Sequence, residues 1–103
     1  MPRRGFFRAK IADYTAKIAS GLIRPEDFDT PILARHVVKA VRNIGMQLRS
    51  VREGVLFCAL CKRGPFTKKG YFLHLTRIHY SEILHLVDLE SERISSSSKN
   101  AGF

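Results

Sequence analysis

Two cysteines and two histidines carry the chemistry for which this chain of 103 residues is best equipped. Cys58 and Cys61 are two residues apart, twelve residues follow, and His74 and His79 are then separated by four. Two thiolates from a tight turn and two imidazoles from one side of a helix are the soft and borderline donors that a tetrahedral Zn²⁺ takes. One structural zinc ion on Cys58, Cys61, His74 and His79 is therefore expected. Protein ligands fill all four places, leaving none for a reactive water, and no glutamate of the hydrolytic kind stands nearby, so a catalytic zinc is not expected. A redox dithiol would need a βαβ setting that the flanking runs do not offer, and a nucleophilic thiol would need further acid and base groups. The expectation is a protein that is not an enzyme and has no small-molecule substrate. His36 and His85 have no companion at metal spacing and read as partly buried, hydrogen-bonded imidazoles.

The elements that must position the four ligands can be placed from their surroundings. Val55-Leu56-Phe57 reads as a short strand leading into the cysteine turn, and a helix starting near Thr67 or Lys68 carries the histidines, which is a ββα layout. Over residues 55–80 the sequence resembles the C2H2 zinc-finger family. That family has an aromatic residue four after the second cysteine and a leucine three before the first histidine; here Pro65 holds the first place, with Phe66 next to it, and Tyr71 holds the second. Phe66 and Tyr71 are assigned to the small core, and the four-residue histidine gap predicts a loosened or tightened helix between Leu75 and Ile78. The resemblance also implies that the base-reading positions fall on Thr67, Gly70 and Leu73, a poor set because only the threonine offers a polar group.

Upstream, Phe7, Ile11, Tyr14, Ile18 and Leu22 recur at helical steps, predicting a helix to about Ser20 with Gly21 as its stop. Pro25 and Pro31 interrupt the pattern, and Asp29 or Thr30 can cap a second helix over about Pro31 to Arg52, with Gly54 past its end. Leu33, Val37, Ala40, Ile44, Leu48 and Val51 form its apolar face. After His79, residues 80–90 read as another helix. Its Ile83, Leu84 and Val87, with Ile94, are expected to pack on the first two helices, the alternative being a dimer or protein-docking helix. The serine-rich end is low in complexity. The fold class expected is α+β, mainly α, with a basic helical region (1–54), a zinc-stabilised finger (55–80), a C-terminal helix (81–94) and a flexible tail (95–103).

Lys and Arg number 18 against 9 Asp and Glu, for a formal charge of +9, which favours a polyanionic partner such as nucleic acid. Only the segment after residue 80 is acidic. On the second helix Arg35, Lys39, Arg42 and Arg49 share an arc opposite the apolar face, with no acid between Pro31 and Arg52 to offset them. Arg3, Arg4 and Arg8 in the basic N-terminal arm, and Lys62, Arg63, Lys68, Lys69 and Arg77 in the finger, are further candidates for phosphate contact. The expected function is nucleic-acid binding mainly through the phosphate backbone, of structured RNA or a ribonucleoprotein such as the ribosome. The alternatives are a DNA-binding transcriptional regulator, either monomeric or dimeric through residues 81–94, and a protein-interaction finger. With no apolar run longer than Val55 to Cys61 and no apolar signal core, an intracellular, non-secreted protein with no membrane partner is expected.

Overall fold

The computed structural model describes the backbone of residues 4–101 and the side chains of residues 7–96. Arg3 and the Arg4 side chain, two of the expected phosphate contacts, lie outside the described residues. Among the described residues, four helices and one two-stranded antiparallel sheet follow in the order α1 (Arg4–Ser20), a 3-10 turn (Pro25–Asp27), α2 (Arg35–Gln47), β1 (Val51–Arg52), β2 (Val55–Leu56), α3 (Lys68–Ile78) and α4 (Tyr80–Ala101). This is the mainly helical α+β class that the residue pattern predicts.

Helix α1 packs against α2, α3 and α4. Three neighbours can approach one helix only where its side chains are short, and the residues buried on α1 are Ala12, Thr15, Ala16, Ile18, Ala19 and Ser20. The Thr15 hydroxyl donates to the Ile11 carbonyl at 2.7 Å, so no polar group is stranded there. The larger residues at helical spacing, Phe7, Ile11 and Tyr14, are half-buried at the edges of this seam, and Leu22 beyond its end is exposed.

Helix α2 is shorter at both ends than its apolar repeat predicts. The Asp29 carboxylate accepts from the Thr30 amide at 2.8 Å and from the Arg35 guanidinium at 2.8 Å, which builds a turn and not a cap, and the helix begins only at Arg35. At the other end Glu53 and Gly54, with φ of +51° and +79°, make the two-residue turn of a hairpin that pairs Val51 with Leu56 and Arg52 with Val55. Gly54 therefore serves a hairpin and is not a helix stop. Gly45 marks the tightest α1–α2 contact: a Cβ there would lie 2.6 Å from Ile18 Cγ2 and 3.2 Å from the Thr15 carbonyl.

Helix α4 turns Ile83, Leu84 and Val87 into the common core, with Ile94 half-buried against it, so the expected inward packing is what the fold adopts. Arg8 and Asp88 form a two-pronged ion pair at 3.1 and 3.2 Å between α1 and α4. Asn43 of α2 donates to Glu90 at 2.8 Å; Arg93, ahead of Asn43 in effect, holds that carboxyl down at about 2. The helix continues through the serine run to Ala101 instead of ending near 94. No helix among the described residues is long and apolar enough to cross a membrane.

Candidate metal centre

The hairpin delivers the chain to the first cysteine with Leu56 buried, and Leu56 also bridges to Phe66, whose amide donates to the Leu56 carbonyl at 2.8 Å. The loop between these two residues is thereby closed at its base. Inside it the Cys58 amide donates to the Arg63 carbonyl at 2.8 Å, the Lys62 amide to the Cys58 carbonyl at 2.9 Å, and the Leu60 amide to the Cys58 sulfur at 3.4 Å. Lys62 adopts a left-handed φ of +68°, which curls the backbone around the two sulfurs.

Helix α3 starts with Thr67 as N-cap, its hydroxyl accepting from the Gly70 amide at 2.9 Å. Tyr71, fully buried, ties this helix to the rest: its hydroxyl donates to the Leu48 carbonyl at 2.5 Å and accepts from the Ala59 amide at 3.2 Å. Burial pushes the phenol up to about 12, keeping it a neutral donor. Phe66 stacks on Tyr71 with centroids 5.8 Å apart and on His74 at 4.7 Å, which orients that imidazole. Phe66 and Tyr71 thus take the core roles expected of them. The helix neither loosens nor tightens before His79, whose amide still makes the α-type bond to Leu75 at 3.0 Å. The departure comes at His79 itself, the C-cap (φ −114°, ψ 24°), one residue before α4 begins.

Cys58 Sγ, Cys61 Sγ and one ring nitrogen of each of His74 and His79 lie within 4.8 Å of one another, and Cys61 Sγ is 3.3 Å from His74 Nε2. Bonds of roughly 2.0–2.3 Å to a tetrahedral ion set such atoms about 3.3–3.8 Å apart, so the cluster can hold one metal ion. A second observation fits this. His79 Nε2 is buried without any hydrogen-bond partner, while Nδ1 of the same ring meets Glu82 Oε1 at 2.5 Å. A ring held by a carboxylate at one nitrogen and bare at the other is set up as a metal ligand.

Electrostatics divide the two thiols. Burial pushes Cys58 up. Cys61 is pulled down to about 6, first by the Arg63 amide and then by the His79 and His74 rings. For His79, burial pulls the ring down, but the Glu82 carboxylate and the Cys61 sulfur together outweigh it and hold the imidazole above its ordinary value. His36 and His85 are exposed and not partly buried, and neither belongs to the cluster.

The expected cationic row on α2 is not a row of free charges. Arg35 is paired with Asp29, a counter-ion supplied by the preceding loop; Arg42 turns inward and donates to the Phe28 carbonyl at 2.6 Å; Arg49 lies past the helix end. Lys39 remains exposed. Arg8 is engaged by Asp88, and Lys62 donates to the Ala59 carbonyl at 3.1 Å. Arg63, Lys68, Lys69 and Arg77 are exposed around the metal lobe. Sequence reasoning missed two residues. Arg52, exposed on β1, is hidden by reading that stretch as helix; Glu82, three residues after the last ligand, has a recognisable place only once α4 is known to start at Tyr80. Comparison with models of known families, with characterised proteins and with solved structures returned no match.

Proposed function

We propose that the chain is a small, non-catalytic, intracellular zinc protein of the C2H2 finger kind that binds structured RNA, within a ribonucleoprotein such as the ribosome, mainly through the phosphate backbone. Zinc is the ion that suits two thiolates and two imidazoles in a closed tetrahedral set. Its binding, on the order of 10 kcal/mol or more, holds a lobe whose own apolar content is small.

The position of the ion pairs carries the nucleic-acid reading. Lys and Arg pair with carboxylates outside residues 36–78: Arg8 with Asp88, Lys17 with Asp13, Arg24 with Asp27, Arg35 with Asp29 and Arg93 with Glu90. Within that stretch, Lys39, Arg49, Arg52, Arg63, Lys68, Lys69 and Arg77 are exposed and have no such pair among the described residues. They are spread over α2 and the turn after it, the hairpin, the cysteine loop and both ends of α3. Such a spread suits the irregular phosphate array of folded RNA better than one groove of a duplex. Base reading in the manner of a DNA-binding finger is disfavoured: the Thr67 oxygen caps α3, Gly70 has no side chain, and Leu73 is half-buried.

Replacing Arg63, Lys69 and Arg77 together by alanine should weaken binding to all RNA sequences alike and make the dependence of log K on log salt shallower by about 2 to 3. The wild-type protein should sediment with ribonucleoprotein particles and be released by ribonuclease. A footprint on duplex DNA that is sequence-selective and survives raised salt would refute the reading.

A further inference from the structure

A cleft of about 280 Å³ opens where the end of α1, the β1–β2 hairpin and the start of α3 meet. Ser20, Arg49, Val51, Val55, Thr67 and Lys68 are among its lining residues, and no acidic side chain is. The two cations come from different elements. Arg49 follows the end of α2 with its guanidinium in the space a side chain at Gly21 would need, 2.8 Å from where a Cβ would stand, while Lys68 opens α3. Neither has an ion-pair partner among the described residues. Thr67 adds a donor: its oxygen accepts from Gly70, and its proton is used by no hydrogen bond among the described residues. The apolar part of the wall is Val51, which is 48% exposed, with Leu56 on the same face of the hairpin and Phe66; Val55 touches the cleft from the hairpin face it shares with Arg52.

We propose that this cleft seats one unpaired nucleotide of an RNA strand, its phosphate between Arg49 and Lys68 and its sugar and base against Val51. The proposal rests on the nucleic-acid reading above and names the place where that contact is made. Charge selects a phosphate, and the guanidinium adds a planar, two-pronged partner for it. The apolar wall selects against a duplex, whose outer surface offers phosphate and sugar but no base face. Unstacked bases able to lie on such a wall are presented by RNA loops and bulges. The volume sits near the lower end of the roughly 300–1,000 Å³ usual for ligand pockets, which is room for one such unit.

Two variants test the cleft by different routes. R49A/K68A removes both phosphate partners, and V51W fills the space without changing charge; R63A/R77A is a control with the same charge loss elsewhere. The probes are a labelled 12-residue single-stranded oligouridylate, an RNA duplex of equal length and the corresponding deoxyribose strand, followed by fluorescence anisotropy between 50 and 200 mM salt. The cleft variants should each lose at least tenfold in affinity for the single RNA strand while changing duplex binding no more than the control does. For R49A/K68A the salt slope on the single strand should fall by about 1.4. A 4-thiouridine strand should crosslink to the peptide containing Val51. The cleft is refuted if R49A/K68A and R63A/R77A lose single-strand affinity equally, and its assignment to RNA is refuted if the deoxyribose strand binds as well in a V51W-sensitive way. Absence of any binding by the wild-type protein would instead overturn the nucleic-acid reading, and the cleft with it.

Discussion

Replacing Glu82 by alanine should weaken metal binding although Glu82 is not a ligand. Its carboxylate meets His79 Nδ1 at 2.5 Å and leaves Nε2 of that ring bare and buried beside the two sulfurs. The contact fixes which nitrogen carries the proton, holds the ring plane, and raises the basicity of the nitrogen that faces the metal. Losing a partner of this kind typically costs about 10- to 100-fold in metal affinity. Because the Glu82 side chain is 57% exposed, water can take over part of its task, and a loss near tenfold, or about 1.4 kcal/mol, is expected. Competition against a chromogenic chelator measures it, with E92A as the control that removes an exposed carboxylate from the same helix. E82Q, whose amide oxygen can still accept from the ring, should recover most of the affinity.

Glu82 sits in the first turn of α4, so the contact also connects the metal to the helix that packs across α1 and α2. Loading zinc should therefore raise hydrogen-exchange protection along Ile83, Leu84 and Val87 as well as in the cysteine loop, and E82A should uncouple the two. If E82A and E92A bind zinc equally well, and α4 protection is indifferent to the metal in the wild-type chain, the reasoning fails.

The four residues of the candidate metal site were legible because their chemistry admits few uses: two thiols and two imidazoles at these intervals point to a shared site before any element is placed, and the fold brings them together. Element type was legible where periodicity ran long, as in α1 and the body of α2, whereas α3 was placed from the spacing of its histidines. Failures came where one local signal served two structures. Gly54 after an apolar repeat fits a helix stop, but with Glu53 it forms a hairpin turn, and a two-residue strand carries too few alternations to compete with a six-point helical stripe. The inner face of α1 escaped notice for a different reason. Its contacts are made by Ala12, Ala16 and Ala19, which weigh little in an apolar pattern yet let three helices meet. The α2 cations looked unopposed because helical spacing detects only counter-ions on the same helix, whereas Asp29 reaches Arg35 from outside it.

Metal affinity should rise with pH, because thiols and imidazoles bind metal only after losing their protons. Cys61, pulled down to about 6, is already a thiolate at neutral pH, so the protons released between pH 7 and 8 come from Cys58, which burial pushes up, with a fraction from His79. Calorimetry in buffers of different ionisation enthalpy should count between one and two, from Cys58 and His79; a release above two would show that Cys61 is not so depressed. Replacing Gly45 by alanine should destabilise the zinc-loaded protein even though alanine is the better helix former by about 1 kcal/mol. The added Cβ would meet Ile18 Cγ2 at 2.6 Å and Ile18 Cβ at 2.7 Å, with the Thr15 carbonyl at 3.2 Å, so α1 and α2 must move apart where their contact is closest. Forcing such a seam costs about 1–3 kcal/mol, enough to outweigh the propensity gain, and a truncating I18A change in the same chain should relieve part of the steric cost. Chemical denaturation of the four chains of this double-mutant cycle decides it: G45A more stable than wild type, or no coupling between positions 18 and 45, would mean that the two helices are not locked at this crossing.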